Sequence, residues 1–208
     1  MQPVVARLRA WALAMLLPFA MGTVTSVSSQ RDRLPPPADC SDDEVVGVWK
    51  SHNFNPAYTH WSQFTLHVRR TEGQPDRLEG SISNHSWDGG PDQKEAPDCD
   101  RTSRRYVVSM DAVGTVKDGF IEFGGVGEWR MDRMICGLPT FGYNLDQFTG
   151  TIDQDIQEFQ SVNNDGGISV NEPTVFRRVK CFVEEMEPTG PVEPPPFQPP
   201  KGLGCSLW

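Results

Sequence analysis

The feature that most constrains this chain is an apolar period of two that recurs along its middle. Phe64, Leu66 and Val68 alternate with Thr65, His67 and Arg69. Leu78, Gly80 and Ile82 alternate with Glu79, Ser81 and Ser83, and Tyr106, Val108 and Met110 repeat the pattern. Val175, Arg177 and Val179 do so against Phe176, Arg178 and Lys180. Turn residues separate the runs: Glu-Gly-Gln-Pro at 72–75, Asp-Gly-Gly-Pro at 88–91 and Lys-Asp-Gly at 117–119. Further strands fit 45–52, 120–124, 127–134, 147–153 and 156–162, and no window carries an amphipathic helix. The expectation is an all-β fold, a single antiparallel up-and-down β-barrel of about eight to nine strands, with a β-sandwich as the alternative. LEGSIS at 78–83 and FTGTID at 148–153 both place a glycine mid-strand, which marks curvature or a close approach over the backbone.

The ends read differently. Arg7 and Arg9 precede an apolar run from Trp11 to Gly22, too short for an ordinary membrane span and suited to a signal core. Residues 1–29 are therefore expected to be a signal peptide, cleaved near 22–29. Residues 30–39 read as a disordered, proline-rich leader, 40–183 as the barrel domain, and 184–208 as a disordered, proline-rich tail. The expected location is secreted, extracellular or periplasmic, with no stable membrane insertion once the signal is removed. Without Arg7 and Arg9 the chain carries 17 basic against 28 acidic residues, a formal net charge of −11. That balance repels phosphate backbones and argues against nucleic acid as a partner.

Gly47-Val48-Trp49 opens the first strand, and Arg177-Arg178 lies in the last. This pairing resembles the calycin arrangement of lipocalins and avidins, in which a Gly-x-Trp on the first strand meets a basic residue from the last. The resemblance implies that Trp49 is buried against Arg177 or Arg178 where the barrel closes. LEGSIS is similar to a following strand of avidin-like chains, whereas the second lipocalin motif, Thr-Asp-Tyr, is absent. Closure would bring Cys40, before the first strand, beside Cys181, at the end of the last. Cys99 and Cys136 would then pair with each other. Four cysteines allow three connectivities, and the sequence alone does not choose among them. Cys205 is left over in the tail, for an intermolecular disulfide or a thiol on a free end.

Signals for catalysis are sparse. His60 and His67 are an odd number apart in one extended run and face opposite sides, so they are no metal pair, and His52 and His85 lack ligand spacing. No Gly-x-Ser-x-Gly occurs, and no cofactor is expected. Asp111, Glu122, Glu128, Asp132, Asp146, Asp153 and Glu158 supply carboxylates, and glycoside hydrolysis would need two of them across a cleft. In SVNNDGGISVNE at 161–172, Asn163, Asp165 and Glu172 fall at calcium-loop positions, but Ser161 stands where an aspartate belongs. The flanks are strand-like, so a hairpin is favoured and no metal is expected. Trp61, Trp87, Phe141 and Tyr143 are the candidates for lining a barrel mouth, against a reading of the aromatics as core. The stretches 135–148 and 84–103 are the long irregular segments, and Asn84-His85-Ser86 in the latter is a glycosylation acceptor. The leading reading is a secreted binding module taking a small molecule in the barrel mouth or a protein at the loops. The alternatives are a secreted hydrolase acting on carbohydrate and an extracellular structural or interaction protein tethered by its tail.

Overall fold

The alternating runs become nine strands in a computed structural model that describes residues 27–40, 45–99, 103–137, 142–167 and 169–182. These are β1 (Gly47–Lys50), β2 (Asn53–Asn55), β3 (His60–Thr71), β4 (Gln74–Asp88), β5 (Arg105–Lys117), β6 (Phe120–Cys136), β7 (Gln147–Asp153), β8 (Glu158–Asn164) and β9 (Val170–Lys180). The expected signal segment up to residue 26, Phe141, Cys205 and the tail at 184–208 lie outside the described residues. From β3 to β9 each strand pairs antiparallel with the next, and β1 pairs with both β3 and β9. Eight strands thus close into an up-and-down barrel, and β2 is an extra short strand on β3. The all-β barrel is the observed fold.

Two of the expected strands are one. The runs at 120–124 and 127–134 join as the 17-residue β6. The register against β5 slips between Ser109 and Asp111, and Gly127 takes a left-handed φ of 71° there. A bulge of this kind bends a strand without ending it. The mid-strand glycines Gly80 and Gly150 serve the same tight coiling. A Cβ at either would collide with the facing backbone, at His67 and at Gln160.

Residues of even number in β3, β4 and β5 point inward. Phe64, Leu66, Val68, Leu78, Ile82, Met110 and Ala112 join Trp49, Phe123, Phe148, Phe159 and Phe176 in one buried core. Trp49 is 2 % exposed, stands opposite Arg178 in the sheet, and donates its indole N–H to the Val45 carbonyl at 2.8 Å. Arg178, fully buried, is the arginine on the inner face, and it donates to the Val46 carbonyl. Gly47 leaves room for it, because a Cβ there would lie 2.9 Å from Arg178 Nε. Arg177 turns outward to Glu158, 2.6 Å away. Disulfides join Cys40 to Cys181 and Cys99 to Cys136, with Cα atoms 5.7 and 5.6 Å apart.

The leader departs from expectation. Residues 27–31 form one helical turn, and the segment after it packs on the barrel wall. The cause is a seam. β1 pairs with β9 only from Arg177 onward, so among the described residues the first half of β9 has no strand on that side. Gln30 fills the gap with a side-chain amide, accepting from Val175 N at 2.8 Å and donating to the Pro173 carbonyl at 2.9 Å. Those are the two bonds a neighbouring strand would make. Pro173 faces the same seam, where its missing N–H breaks no ladder. Arg31 reaches the buried carboxylate of Glu158 at 2.8 Å, Leu34 is buried, and Arg33 donates to the His52 carbonyl while lying 5.0 Å over the Trp61 ring. Prolines prevent regular structure, but they did not prevent docking.

Two outcomes follow for urea unfolding followed by circular dichroism. Trp49→Ala should cost about 3–5 kcal/mol, the range for emptying a buried aromatic site. A chain beginning at Pro35 should lose about 2–4 kcal/mol, since Val175 N is left buried without an acceptor and the Leu34 contact is gone. No loss on truncation would show that the leader merely rests on the barrel.

Candidate functional site

The barrel interior is divided along its axis. The half nearer Trp49 and Arg178 is apolar, as described. In the other half polar side chains join apolar ones such as Val108 at the inward positions. Continuing the inward parity past Ile82, β4 presents Asn84 and Ser86, which are buried. One row of cross-strand partners runs Asn53, Ser62, Ser86, Tyr106 and Met134. On the opposite wall Ser161 stands against Thr174 and Asn163 against Glu172.

A hydrogen-bonded bar crosses this end. Asn84 Nδ2 donates to the Tyr143 hydroxyl at 2.8 Å, and that hydroxyl donates to Asp146 Oδ2 at 2.7 Å. Asn163 Nδ2 donates to Asp146 Oδ1 at 2.9 Å, while Asn163 Oδ1 accepts from Gln147 N. The bar therefore runs from β4 across to β8, with the Tyr143 ring 5.9 Å from Trp129 and both rings packed on the core. Nearer the seam Asn53 donates to Thr174 Oγ1 at 2.9 Å, and Ser161 to the Thr174 carbonyl. Three side-chain oxygens in this ring have no hydrogen-bond partner: the amide oxygens of Asn53 and Asn84 and the Ser86 hydroxyl, on side chains no more than 3 % exposed. Buried orphans of this kind cost stability and call for a reason.

Electrostatics set the site apart as well. Burial pushes the Asp146 carboxyl up to about 7, with Asp165 and Glu172 adding to the rise and its bonds from Asn163 and Tyr143 opposing it. Burial likewise holds the Tyr143 phenol well above its ordinary value, with Asp146 contributing. At the rim beside Tyr106, Asp88 is held below the usual carboxylate range by Arg104 and His60, which bond it at 2.9 and 3.0 Å.

The residues marked in the sequence fall on both sides of the wall. Tyr143 is in the site. Trp61 and Trp87 are not: their odd numbers set them on the outer face, where they stack on each other at 5.9 Å. Their indole N–H groups bond Gly90 and Gln93, so the loop after β4 roofs them together with His52 and Arg33. They form a second, exterior core, not a mouth. Asn84, the expected glycosylation acceptor, has its side chain buried inside the barrel and bonded to Tyr143. The 161–172 stretch is a hairpin between β8 and β9. Asp165 Oδ1 accepts from Gly167 N and Ser169 N within the turn, and Asn163 bonds Asp146 inside the barrel. Glu172 sits at the rim opposite Asn163. Among the described residues no group of three or more His, Cys, Asp or Glu side chains could hold a metal ion.

Nor do the carboxylates suggested for glycoside chemistry converge. Asp111, Glu122, Glu128 and Asp132 are exposed, Asp153 ends β7, and Glu158 is buried under the leader between Arg31 and Arg177. Asp146 alone of the set enters the barrel. The sequence reading missed Asn53, Ser86, Ser161 and Thr174, and overlooked the role of Asn84. The signal was present in the parity, since Ser161 and Asn163 continue the inward face of Phe159 as Asn84 and Ser86 continue that of Ile82. No known protein family, curated protein or solved structure matches this chain.

The site and the exterior core have opposite proton linkages. His52 is held down to about 4 by burial and then by Arg33, so between about pH 4 and 6.5 the unfolded chain binds the extra proton and stability rises with pH. Asp146 holds its proton up to about 7 when folded and releases it near the ordinary value when unfolded, so stability falls as pH rises from about 4 to 7. The two trends oppose each other in the parent chain. Asp146→Asn should therefore expose a loss of stability on acidification from pH 6.5 to 4. His52→Gln should show a gain over the same interval. Parallel profiles of melting temperature for all three chains would contradict the assignment.

Proposed function

We propose that this chain is an exported, calycin-like binding protein that takes a small hydrogen-bond-donating molecule in the polar half of its barrel. The observation that carries the reading is the pair of buried amide oxygens on Asn53 and Asn84, which face the interior without a protein donor. A ligand bringing N–H or O–H groups would satisfy them, and it would meet Tyr106 and the Tyr143–Asp146 pair on the way. Calycin character is supported by the eight-strand closure and by Trp49 lying opposite Arg178. Export is supported by the two disulfides, which suit an oxidising compartment. No helix among the described residues is long and apolar enough to cross a membrane. Binding is preferred to hydrolysis because the carboxylates do not face each other across a cleft.

A thermal-shift screen of small water-soluble compounds with N–H or O–H donors tests this. A ligand at a hundred times its dissociation constant adds about 2.7 kcal/mol to stability, an easily measured rise in midpoint. At least one compound should give such a rise, and the double change Asn53→Leu with Asn84→Leu should abolish it in a chain that still folds. A screen with no stabilising compound would make the polar half a structural layer and end the reading.

A further inference from the structure

The charge of the ligand can be read from what surrounds the two orphan amide oxygens. Asp146 is 2 % exposed, and its protein donors, Tyr143 and Asn163, are both neutral. Glu172 stands beside it on the rim of β9, and Asp165 in the adjoining turn also acts on it through space. On the far rim Arg104 and His60 are both engaged by Asp88. Arg178 belongs to the other end of the barrel, and Arg177 points outward to Glu158. Asp146 thus has no cationic partner among the described residues, and the Asn53 and Asn84 amide oxygens have no protein donor.

Asn84 Nδ2 and Asn163 Nδ2 are turned toward Tyr143 and Asp146, and Asn53 Nδ2 toward Thr174, while the Ser86 hydroxyl has no partner. A carboxylate or phosphate ligand would meet acceptors and negative potential together. A neutral amide could use the Ser86 hydroxyl for its carbonyl, but it would leave Asp146, with Glu172 and Asp165 near it, without a countercharge. A planar or ammonium cation has N–H groups only, which matches two amide oxygens and a carboxyl. The faces of Tyr106 and Tyr143 would add cation–π attraction. Resting on the binding reading above, we propose that the ligand is a small organic cation of the amidinium, guanidinium or primary-ammonium class. It would lie between Asn53, Asn84 and Asp146, and its charge would draw Asp146 into the ionised form.

Matched probes of equal size separate charge from shape. Isothermal titration of the full disulfide-bonded chain would compare benzamidinium, benzamide and benzoate, and in parallel butylammonium, butanol and butyrate. In at least one series the cation should bind at least tenfold more tightly than the neutral analogue, with no measurable binding of the anion. Asp146→Asn should erase that preference. Glu172→Gln, at the rim and outside the bar, should weaken the cation about two- to threefold while the neutral analogue is unchanged. Equal or tighter binding of benzamide or butanol would overturn the cationic class and leave small-molecule binding in place. Failure of all six probes, with other donor compounds still raising the midpoint, would overturn it in the same way. If the screen also yields nothing, the binding reading itself falls.

Discussion

Closure through β1 is the interaction on which the remainder rests. This strand has four residues, yet it bridges β3 and β9 and turns an open sheet into a barrel. Without it β3 and β9 would be free edges, each offering unpaired backbone groups to another chain. Its local chemistry is demanding. Gly47 must lack a side chain because the Lys180 carbonyl and the Arg178 side chain lie over it, and the Trp49 indole must be near both Val45 and the last strand. The Cys40–Cys181 bond ties the chain just outside the same junction. Cross-linking residues 141 positions apart removes much of the freedom of the unfolded chain, on the order of 4–5 kcal/mol in the chain-entropy account.

A strand that short cannot close the whole wall. Beyond Lys50 the chain leaves β9, and the resulting seam is closed by side chains: Gln30 from the leader, and Asn53 bonded to Thr174. The polar half of the interior lies behind this seam. Its position is thus a consequence of where β1 ends, since backbone pairing is replaced there by amide and hydroxyl groups. The Glu158 carboxylate, buried between Arg31 and Arg177, fastens the leader at the same place. Breaking such a buried pair is costly because it strands the remaining charge.

Much of this was legible in the alternation. The antiparallel order follows from parity and turn residues, whereas the two disulfide pairings were expected from the resemblance to calycin closure, in which first and last strands meet. The hairpin at 161–172 was also readable, because its flanks alternate. Parity would have placed Trp61 and Trp87 outside, since they are odd-numbered in strands whose even residues are apolar. Their burial was not readable, because it comes from the loop after β4 and from Arg33, neither of which has a period. Leader docking was hidden for a similar reason. Composition reports that prolines exclude helix and sheet, but it is silent on whether one glutamine finds an unpaired edge. Asn84 shows the converse case: a short surface-type motif can fall inside a strand, where sheet geometry overrides its chemistry.

The two halves of the interior make opposite contributions to stability. In the apolar half, Phe64, Phe148, Phe159 and Phe176 pack edge to face or stacked, with centroids 4.8–6.4 Å apart. Such pairs add about 0.5–1.5 kcal/mol each beyond the area they bury. In the polar half each unmatched buried oxygen costs about 1–3 kcal/mol, and a buried carboxyl costs more unless it keeps its proton. With Asn53, Asn84 and Asp146 in place, the apolar half, the disulfides and the β1 junction offset a deficit in the other half. On the binding proposal, the Asn53 and Asn84 oxygens, which lose hydration on folding and gain no protein donor, recover that loss when N–H or O–H groups of a ligand meet them.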